Sequence, residues 1–131
     1  MTKVLFACVH NVGRSQMAAA VFNAEAKPAR ARAISAGAEP GVALDPAVVQ
    51  AMREIGIDLS QNLPTRLTAR LSMDVDHLVT MGCGLVCPMI PAPRREDWPL
   101  EDPVGQPLER VRAIRDDVRA RVRKLIRERG W

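Results

Sequence analysis

The chain alternates between short apolar runs, which are typical of buried strands, and longer segments with helical periodicity. The first apolar run, residues 3–7, predicts an interior strand. A helix is predicted over residues 15–27, and Pro28 ends it because proline removes a helical hydrogen bond. A second strand is predicted from Arg30 to Ser35. The chain therefore opens with a strand, a helix and a second strand.

The second helix is marked at both of its ends. Asp45 supplies an N-cap and Pro46 a proline at the first helical position, while Gly56 fits the position after the C-terminus. The apolar face of this helix consists of Val48, Val49, Met52 and Ile55. Residues 57–66 then predict a loop, and a short helix capped by its own first residue is predicted over 68–72.

The last part of the chain adds one strand and the longest helix. The strand is predicted over 76–81, and the stretch 88–107 is predicted to be irregular because it holds six prolines. The helix is predicted over 107–129, with an apolar stripe of Leu108, Val111, Ile114, Val118, Val122, Leu125 and Ile126. Strands that alternate with helices predict a parallel sheet covered on both faces. Ligands bind beyond the carboxyl ends of such strands.

The composition fits one globular domain that spans residues 1–131. No run approaches the roughly 18 apolar residues of a membrane span, and the N-terminus has no signal-peptide pattern. We therefore expect a cytoplasmic protein without a membrane partner. The net charge of +4 lies largely in the last helix, among acidic residues and without an aromatic stacking platform. This pattern argues against nucleic acid and favours a small anionic substrate.

The loop between the first strand and the first helix carries the candidate chemistry. Cys8 is followed six residues later by Arg14. Backbone N–H groups at a helix N-terminus favour a tetrahedral oxyanion, and in that field a cysteine thiolate is favoured over the thiol. Arg14 adds a planar fork of donors for the same anion. Cys8 is thus the predicted nucleophile, and the predicted anion-binding residues are Val9, His10, Asn11, Val12, Gly13, Arg14 and Ser15.

Each of these residues also has a structural interpretation. Cys8 alone could be a buried structural thiol, and it is the spacing to Arg14 that favours catalysis. Ser15 could be no more than the N-cap of the helix. This role is compatible with donating a hydrogen bond to the Cys8 thiolate. Asn11 and Gly13 suit a loop with left-handed turns.

Two further cysteines, Cys83 and Cys87, follow the third predicted strand. As a metal half-site this spacing is weak, because no second pair exists in the sequence. The remaining alternatives are two buried thiols, or a pair that takes oxidation away from Cys8 by thiol–disulfide exchange. Gly82 and Gly84 flank Cys83 and make movement of this loop easier. We expect the loops that carry Cys8 and Cys83 to open onto the same sheet edge.

Three other polar residues are weaker candidates. Asp102, followed by Pro103, could be a helix N-cap, or an acid that protonates the leaving oxygen as Cys8 attacks. His10 lies within the loop and could line its rim. His77, on a predicted strand, favours a packed or edge histidine over a ligand.

These motifs resemble the low-molecular-weight protein tyrosine phosphatase superfamily, through Cys8, Arg14-Ser15 and Asp102-Pro103. Within it the chain is similar to the arsenate reductases, and the segments that carry this similarity are 14–18, 80–84, Cys87-Pro88, Trp98 and Asp102-Pro103 with Gly105. The resemblance covers essentially the whole chain. It implies a three-layer α/β/α domain, with a four-stranded parallel sheet and helices on both faces. It also implies a monomeric enzyme of arsenic detoxification without a bound cofactor, for which phosphate or sulfate are substrate analogues.

The resemblance implies a relay of three cysteines. Cys8 attacks arsenate held by the loop amides and Arg14, and Asp102 acts as the acid. Cys83 then attacks Cys8, so that arsenite leaves and a Cys8–Cys83 disulfide remains. Cys87 attacks Cys83, and thioredoxin reduces the resulting Cys83–Cys87 disulfide. Arsenate suits this chemistry because As(V) accepts two electrons, whereas phosphate is only bound or hydrolysed.

Several departures leave alternatives open. Thioredoxin-linked members usually have a longer spacing between the last two cysteines, so a mycothiol-linked enzyme served by mycoredoxin is an alternative. Some relatives bind potassium through acidic side chains, but the matching positions hold Ala19 and Thr65, so we expect no metal site. A phosphatase, or residual phosphatase activity, is a second alternative, weakened because no tyrosine lies near Asp102. A non-enzymatic arsenite-binding or redox-sensing module is the third.

Overall fold

The sheet of this protein has four parallel strands, and the computed structural model describes residues 1–82 and 90–131. In chain order the elements are β1 (Thr2–Cys8), α1 (Arg14–Glu25), β2 (Ala31–Gly37), α2 (Pro46–Arg53), β3 (His77–Thr80), β4 (Arg94–Asp97) and α3 (Leu108–Arg129). The strand order is β2-β1-β3-β4. The predicted α/β fold with a four-stranded parallel sheet is confirmed. The predicted loop with Cys83 and Cys87 lies outside the described residues.

Strand β1 is central, and its alternating side chains build the two apolar layers. Residues 4–7 are fully buried. Val4, Phe6 and Cys8 belong to the cluster that includes the apolar faces of α1, α2 and α3. Leu5 and Ala7 point to the opposite face, where they belong to a smaller cluster with Ala36, Leu67, Val75, Leu78 and Ile90. Cys8 therefore ends a rigid strand in the middle of the sheet.

Strand β4 was not anticipated, because residues 88–107 were predicted to be irregular. All four of its residues are charged, and they pair with β3 from His77 and Arg94 to Thr80 and Asp97. An edge strand with exposed side chains shows no apolar alternation, so only its backbone hydrogen bonds reveal it. The prediction is wrong for 94–97.

The prediction of a short helix over 68–72 is also wrong, because residues 69–74 form turns. The Thr68 hydroxyl does accept a hydrogen bond from Leu71 N at 3.1 Å, as a helix cap would. However, Asp74 lies in the left-handed region with a φ of 61°, where a right-handed helix does not continue. Thr68 therefore makes the predicted capping hydrogen bond, but this bond closes a turn and does not begin a helix.

Helix α3 covers the main cluster with its predicted stripe. Five of the apolar side chains are buried, namely Val111, Ile114, Val118, Val122 and Leu125, and Leu108 and Ile126 pack partly against the cluster. Charged side chains occupy its outer face. Neither α3 nor any other helix within the described ranges combines the length and apolar character needed to cross a membrane.

Glu54, directly after α2, joins this helix to α3. Its Oε2 atom lies 2.6 Å from Arg112 Nη2, and its Oε1 atom lies 2.8 Å from Arg115 Nη1. The hydrogen bond from Arg112, followed by that from Arg115, lowers the pKa of Glu54 from 4.5 to about 2. The ionised carboxylate therefore stabilises the contact between the two helices.

Glu54→Gln is expected to lower the Tm at neutral pH. A carboxyl whose pKa is lower in the folded state adds stability above its unfolded pKa and loses it as the pH falls through the folded pKa. The Tm difference from the native chain should thus be constant above pH 4.5 and shrink towards about pH 2. Glu128→Gln, which removes an exposed partner 3.7 Å from Lys124, is the control and should have little effect. An undiminished difference at acidic pH would contradict the assignment.

Candidate active site

The loop between β1 and α1 is held by its carbonyl groups. Four of them accept hydrogen bonds of 2.8–3.3 Å from segment 38–45, in the pairs Ala38 N to Cys8 O, Glu39 N to Val9 O, Gly41 N to His10 O and Asp45 N to Val12 O. The peptide bonds are trans, so each following N–H group points away from segment 38–45. The Asn11 N–H group accordingly reaches Cys8 Sγ at 3.2 Å. The loop thus presents donors to whatever lies beside the Cys8 sulfur.

Cys8 lies at the carboxyl end of β1 with only 2% of its surface exposed. Besides the Asn11 N–H contact, its Sγ atom lies 2.7 Å from the Ser15 hydroxyl. Ser15 belongs to the first turn of α1, whose N-terminus faces the loop. Hydrogen bonds donated to the sulfur stabilise a negative charge on it, which is what a nucleophilic thiolate needs.

Arg14 is the buried cation of this site. Its Nη1 atom donates to the Leu100 carbonyl at 3.0 Å, and its Nη2 atom lies 4.0 Å from Asp102 Oδ2. One small cavity is lined by Cys8, His10, Asn11, Val12, Gly13, Arg14 and Asp102. The structure therefore brings together most of the residues predicted from the sequence, including the distant Asp102.

Asp102 is not the N-cap of the last helix. Helix α3 begins at Leu108, and Asp102 Oδ1 instead accepts a hydrogen bond from Val104 N at 3.0 Å. Pro103 packs against the loop, since a Cβ atom on Gly13 would lie 2.8 Å from its Cγ atom. The carboxylate is half exposed and faces the cavity, as a group that exchanges protons with a bound oxyanion must.

The two histidines have different positions. His10 is exposed, and because a carbonyl only accepts, its Nδ1 atom donates to Glu39 O at 2.8 Å. His77 is buried, with its Nε2 atom 2.6 Å from Glu96 Oε2 and its ring packed edge-to-face with Trp131. The expectation that His77 is a packed residue is confirmed. His10 does line the cavity, as predicted for the loop rim.

Sequence reasoning missed several residues that shape the site. The Leu100 carbonyl has no side-chain signature, because any residue would offer it. Gln16, five residues after Asn11, and Thr65, 54 residues after it, both donate to the Asn11 side chain, and no periodic pattern in the sequence indicates these contacts. Gly37 had a signal that could have been used, since it is a glycine at the carboxyl end of β2.

Gly37→Ala is expected to reduce activity about 100-fold, because displacements of about 1 Å in a site can have that effect. A Cβ atom there would lie 2.7 Å from Val9 O and 2.9 Å from Asn11 N, so the anion-binding backbone would have to move. Steady-state kcat/KM is the measurement. Gly56→Ala, at a φ of 81° and with nothing within 4 Å of its Cβ position, is the control: it should cost about 1 kcal/mol of stability but leave activity unchanged. Equal activities of the two variants would refute the close approach.

The chain is similar to known proteins both in sequence and in structure. The family model for low molecular weight phosphotyrosine protein phosphatase matches residues 3–129. The chain is 36% identical to the glutaredoxin arsenate reductase of Synechocystis sp., over 96% of this chain and 97% of that protein. Among solved structures, the thioredoxin-dependent arsenate reductase of Corynebacterium glutamicum has a TM-score of 0.82 at 35% identity, and covers 98% of this chain and 61% of that one. An arsenate reductase in its phosphate-binding state has a TM-score of 0.84 at 34% identity, with 98% of both chains covered.

Proposed function

The chain belongs to the low molecular weight phosphotyrosine protein phosphatase family, and we propose that it is an arsenate reductase, an oxidoreductase that converts arsenate to arsenite. One observation supports this most strongly. Cys8, Arg14 and loop residues 10–13 line one cavity, in a chain about one third identical to proteins of that activity. Phosphate is the tetrahedral analogue of the same substrate.

The first step forms a bond between sulfur and arsenic. Arsenate binds to the loop N–H groups and to Arg14, beside the Cys8 sulfur. The thiolate attacks arsenic, one As–O bond breaks, and the departing oxygen leaves as water with a proton from the Asp102 carboxyl group. Arg14 and the N–H groups stabilise the negative charge on the remaining oxygens.

The second step transfers two electrons. Cys83 attacks the Cys8 sulfur, a disulfide forms, and the electron pair of the S–As bond stays on arsenic, so that As(V) becomes As(III). Cys83 lies outside the described residues, but its approach is supported by its neighbours. Met81 N donates to Ala7 O at 2.8 Å, and a Cβ atom on Gly82 would lie 2.7 Å from Arg14 Nη1. The residue directly before Cys83 thus contacts the site, and successive Cα atoms are only about 3.8 Å apart.

The composition of the cavity disfavours an aryl phosphate as the substrate. Its lining among the described residues includes no phenylalanine or tryptophan, and the chain has no tyrosine. Val42 and Val104, in the segments that flank the loop, are exposed aliphatic side chains. Among the described residues of the cavity, the His10 imidazole is the only ring that could face a substrate, so a small oxyanion fits better than phosphotyrosine.

The electron donor is a separate part of the proposal. We propose that Cys87 attacks Cys83 and that thioredoxin reduces the resulting disulfide. The Corynebacterium glutamicum relative is described as thioredoxin-dependent and the Synechocystis relative as a glutaredoxin arsenate reductase, so the family uses more than one kind of donor. Mycothiol with mycoredoxin is the alternative that the short cysteine spacing favours.

An NADPH-coupled assay with separate donors tests this proposal. Arsenate-dependent NADPH consumption is expected with thioredoxin and its reductase, together with arsenite production. Cys87→Ser should abolish turnover with thioredoxin, and unchanged turnover would show that the pair does not resolve the adduct. Activity with mycothiol and mycoredoxin but not with thioredoxin would show that the chain is an arsenate reductase of the mycothiol-linked type. Arsenite binding without any turnover would refute the enzymatic function.

A further inference from the structure

A network of buried polar side chains extends from the Cys8 sulfur through Ser15 and Asn11 to Gln16. Ser15 and Asn11 are fully buried, and Gln16 is 4% exposed. Asn11 Nδ2 donates to Ser15 Oγ at 2.7 Å, and Ser15 Oγ lies 2.7 Å from Cys8 Sγ. Asn11 Oδ1 accepts from Gln16 Nε2 at 2.9 Å and from Thr65 N at 2.8 Å. The chain of contacts therefore connects segment 62–65 with the nucleophile.

The backbone fixes the direction of this chain. Thr65 N can only donate, so the oxygen of the Asn11 amide must face it. The NH₂ group of Asn11 then faces Ser15, whose oxygen accepts. Since a hydroxyl has a single proton, that proton remains available for the Cys8 sulfur. If the Asn11 amide were turned round, Ser15 would donate to Asn11, and Cys8 would lose one of its two donors.

Gln16 is a second residue that favours this orientation of the Asn11 amide. Its Nε2 atom donates to the Leu63 carbonyl at 3.2 Å as well as to Asn11 Oδ1, and a carbonyl can only accept. Its Oε1 atom accepts from Asn62 Nδ2 at 3.2 Å. The orientation of the Gln16 amide is thus set from both ends. A buried residue with three such contacts, on a helix that begins at the anion loop, has more than a packing role.

We propose that Gln16 is a positioning residue that holds the Asn11 amide in the orientation that leaves the Ser15 proton for the Cys8 sulfur. It contacts neither substrate nor sulfur, and acts only through Asn11 and Ser15. The inference rests on Cys8 being the nucleophile of the proposed function. It concerns the reactivity of the thiolate, which is measured without arsenate, so the two proposals can fail independently.

The test is the rate of Cys8 alkylation by iodoacetamide across pH, in a Cys83→Ser/Cys87→Ser background where Cys8 is the only thiol. Gln16→Glu places an acceptor against Asn11 Oδ1 and Leu63 O. It should slow alkylation at neutral pH about tenfold, the effect of losing one hydrogen bond to a charged group. Gln16→Met, which is neutral and similar in size, should slow it about threefold, because Thr65 N still holds Asn11.

Ser15→Ala separates this mechanism from a direct charge effect. In a Ser15→Ala background both Gln16 variants should alkylate within about twofold of the Ser15→Ala chain itself, because the Ser15 proton has already been lost. Equal slowing with and without Ser15 would mean that the introduced charge acts on the sulfur directly, and would overturn the proposal. No slowing in either Gln16 variant would overturn it as well. Far-UV circular dichroism establishes that each variant is folded.

Discussion

Replacing Cys8 with serine is expected to lower the arsenate reduction rate at least about 10⁴-fold, a loss of the size seen when a catalytic nucleophile is removed. A serine hydroxyl is not deprotonated by two hydrogen bonds at neutral pH, and it cannot form the disulfide that carries the electrons. The Cys8 side chain is 2% exposed at the end of a strand that is paired on both sides, so its sulfur is held firmly beside the loop donors. Arsenite production with an excess of donor is the measurement.

The Cys8→Ser variant should still bind the oxyanion, which separates chemistry from folding. The loop N–H groups and Arg14 are untouched, so phosphate is expected to raise the Tm of the variant and of the native chain to a similar extent. Reduction that survives in Cys8→Ser would show that another cysteine is the nucleophile. A variant that no longer responds to phosphate would instead show that the thiol is needed to shape the loop.

Arg14→Lys is expected to reduce kcat/KM about 10²- to 10³-fold, as for removal of one transition-state donor. The guanidinium spans the Leu100 carbonyl, at 3.0 Å, and the Asp102 carboxylate, at 4.0 Å, while it faces the cavity. An ammonium group is a point charge and cannot hold this geometry and two substrate oxygens together. The charge is unchanged, so the loss reports on the planar fork.

Arg121→Lys is the matched control, because Arg121 makes one exposed ion pair with Asp117 on the same helix. Such pairs contribute little to stability, and activity should stay within about twofold of the native value. If Arg14→Lys behaved like this control, the positive charge alone would account for anion binding, and the role of the guanidinium fork would be disproved.

The central unit of the fold could be predicted because its signals are local. The apolar run of β1, the proline after α1 and the spacing from Cys8 to Arg14 all act within a few residues. The β-α-β unit then fixes where the loop lies in the sheet. Asp102 was predicted as a candidate from its Asp-Pro motif, although its alternative as a helix N-cap was settled only by α3 beginning at Leu108.

The parts that escaped prediction depend on tertiary contacts or on a single backbone conformation, neither of which shows as a periodic pattern. Strand β4 has four charged residues, and only pairing with β3 makes it a strand. The turns over 69–74 begin with a helix cap, but a left-handed residue ends them. The support for Asn11 comes from Gln16, in the adjacent helix, and from Thr65, 54 residues away. Such contacts leave no periodic pattern in the sequence.

A single-turnover experiment tests whether this chain itself reduces arsenate, because it needs no external electron donor. Fully reduced protein is mixed with one equivalent of arsenate, and arsenite and free thiols are counted after quenching. Because the reduction takes two electrons from the chain, we expect one arsenite per chain and loss of two of the three thiols. Arsenate that remains unreduced, with all three thiols intact, would contradict this expectation.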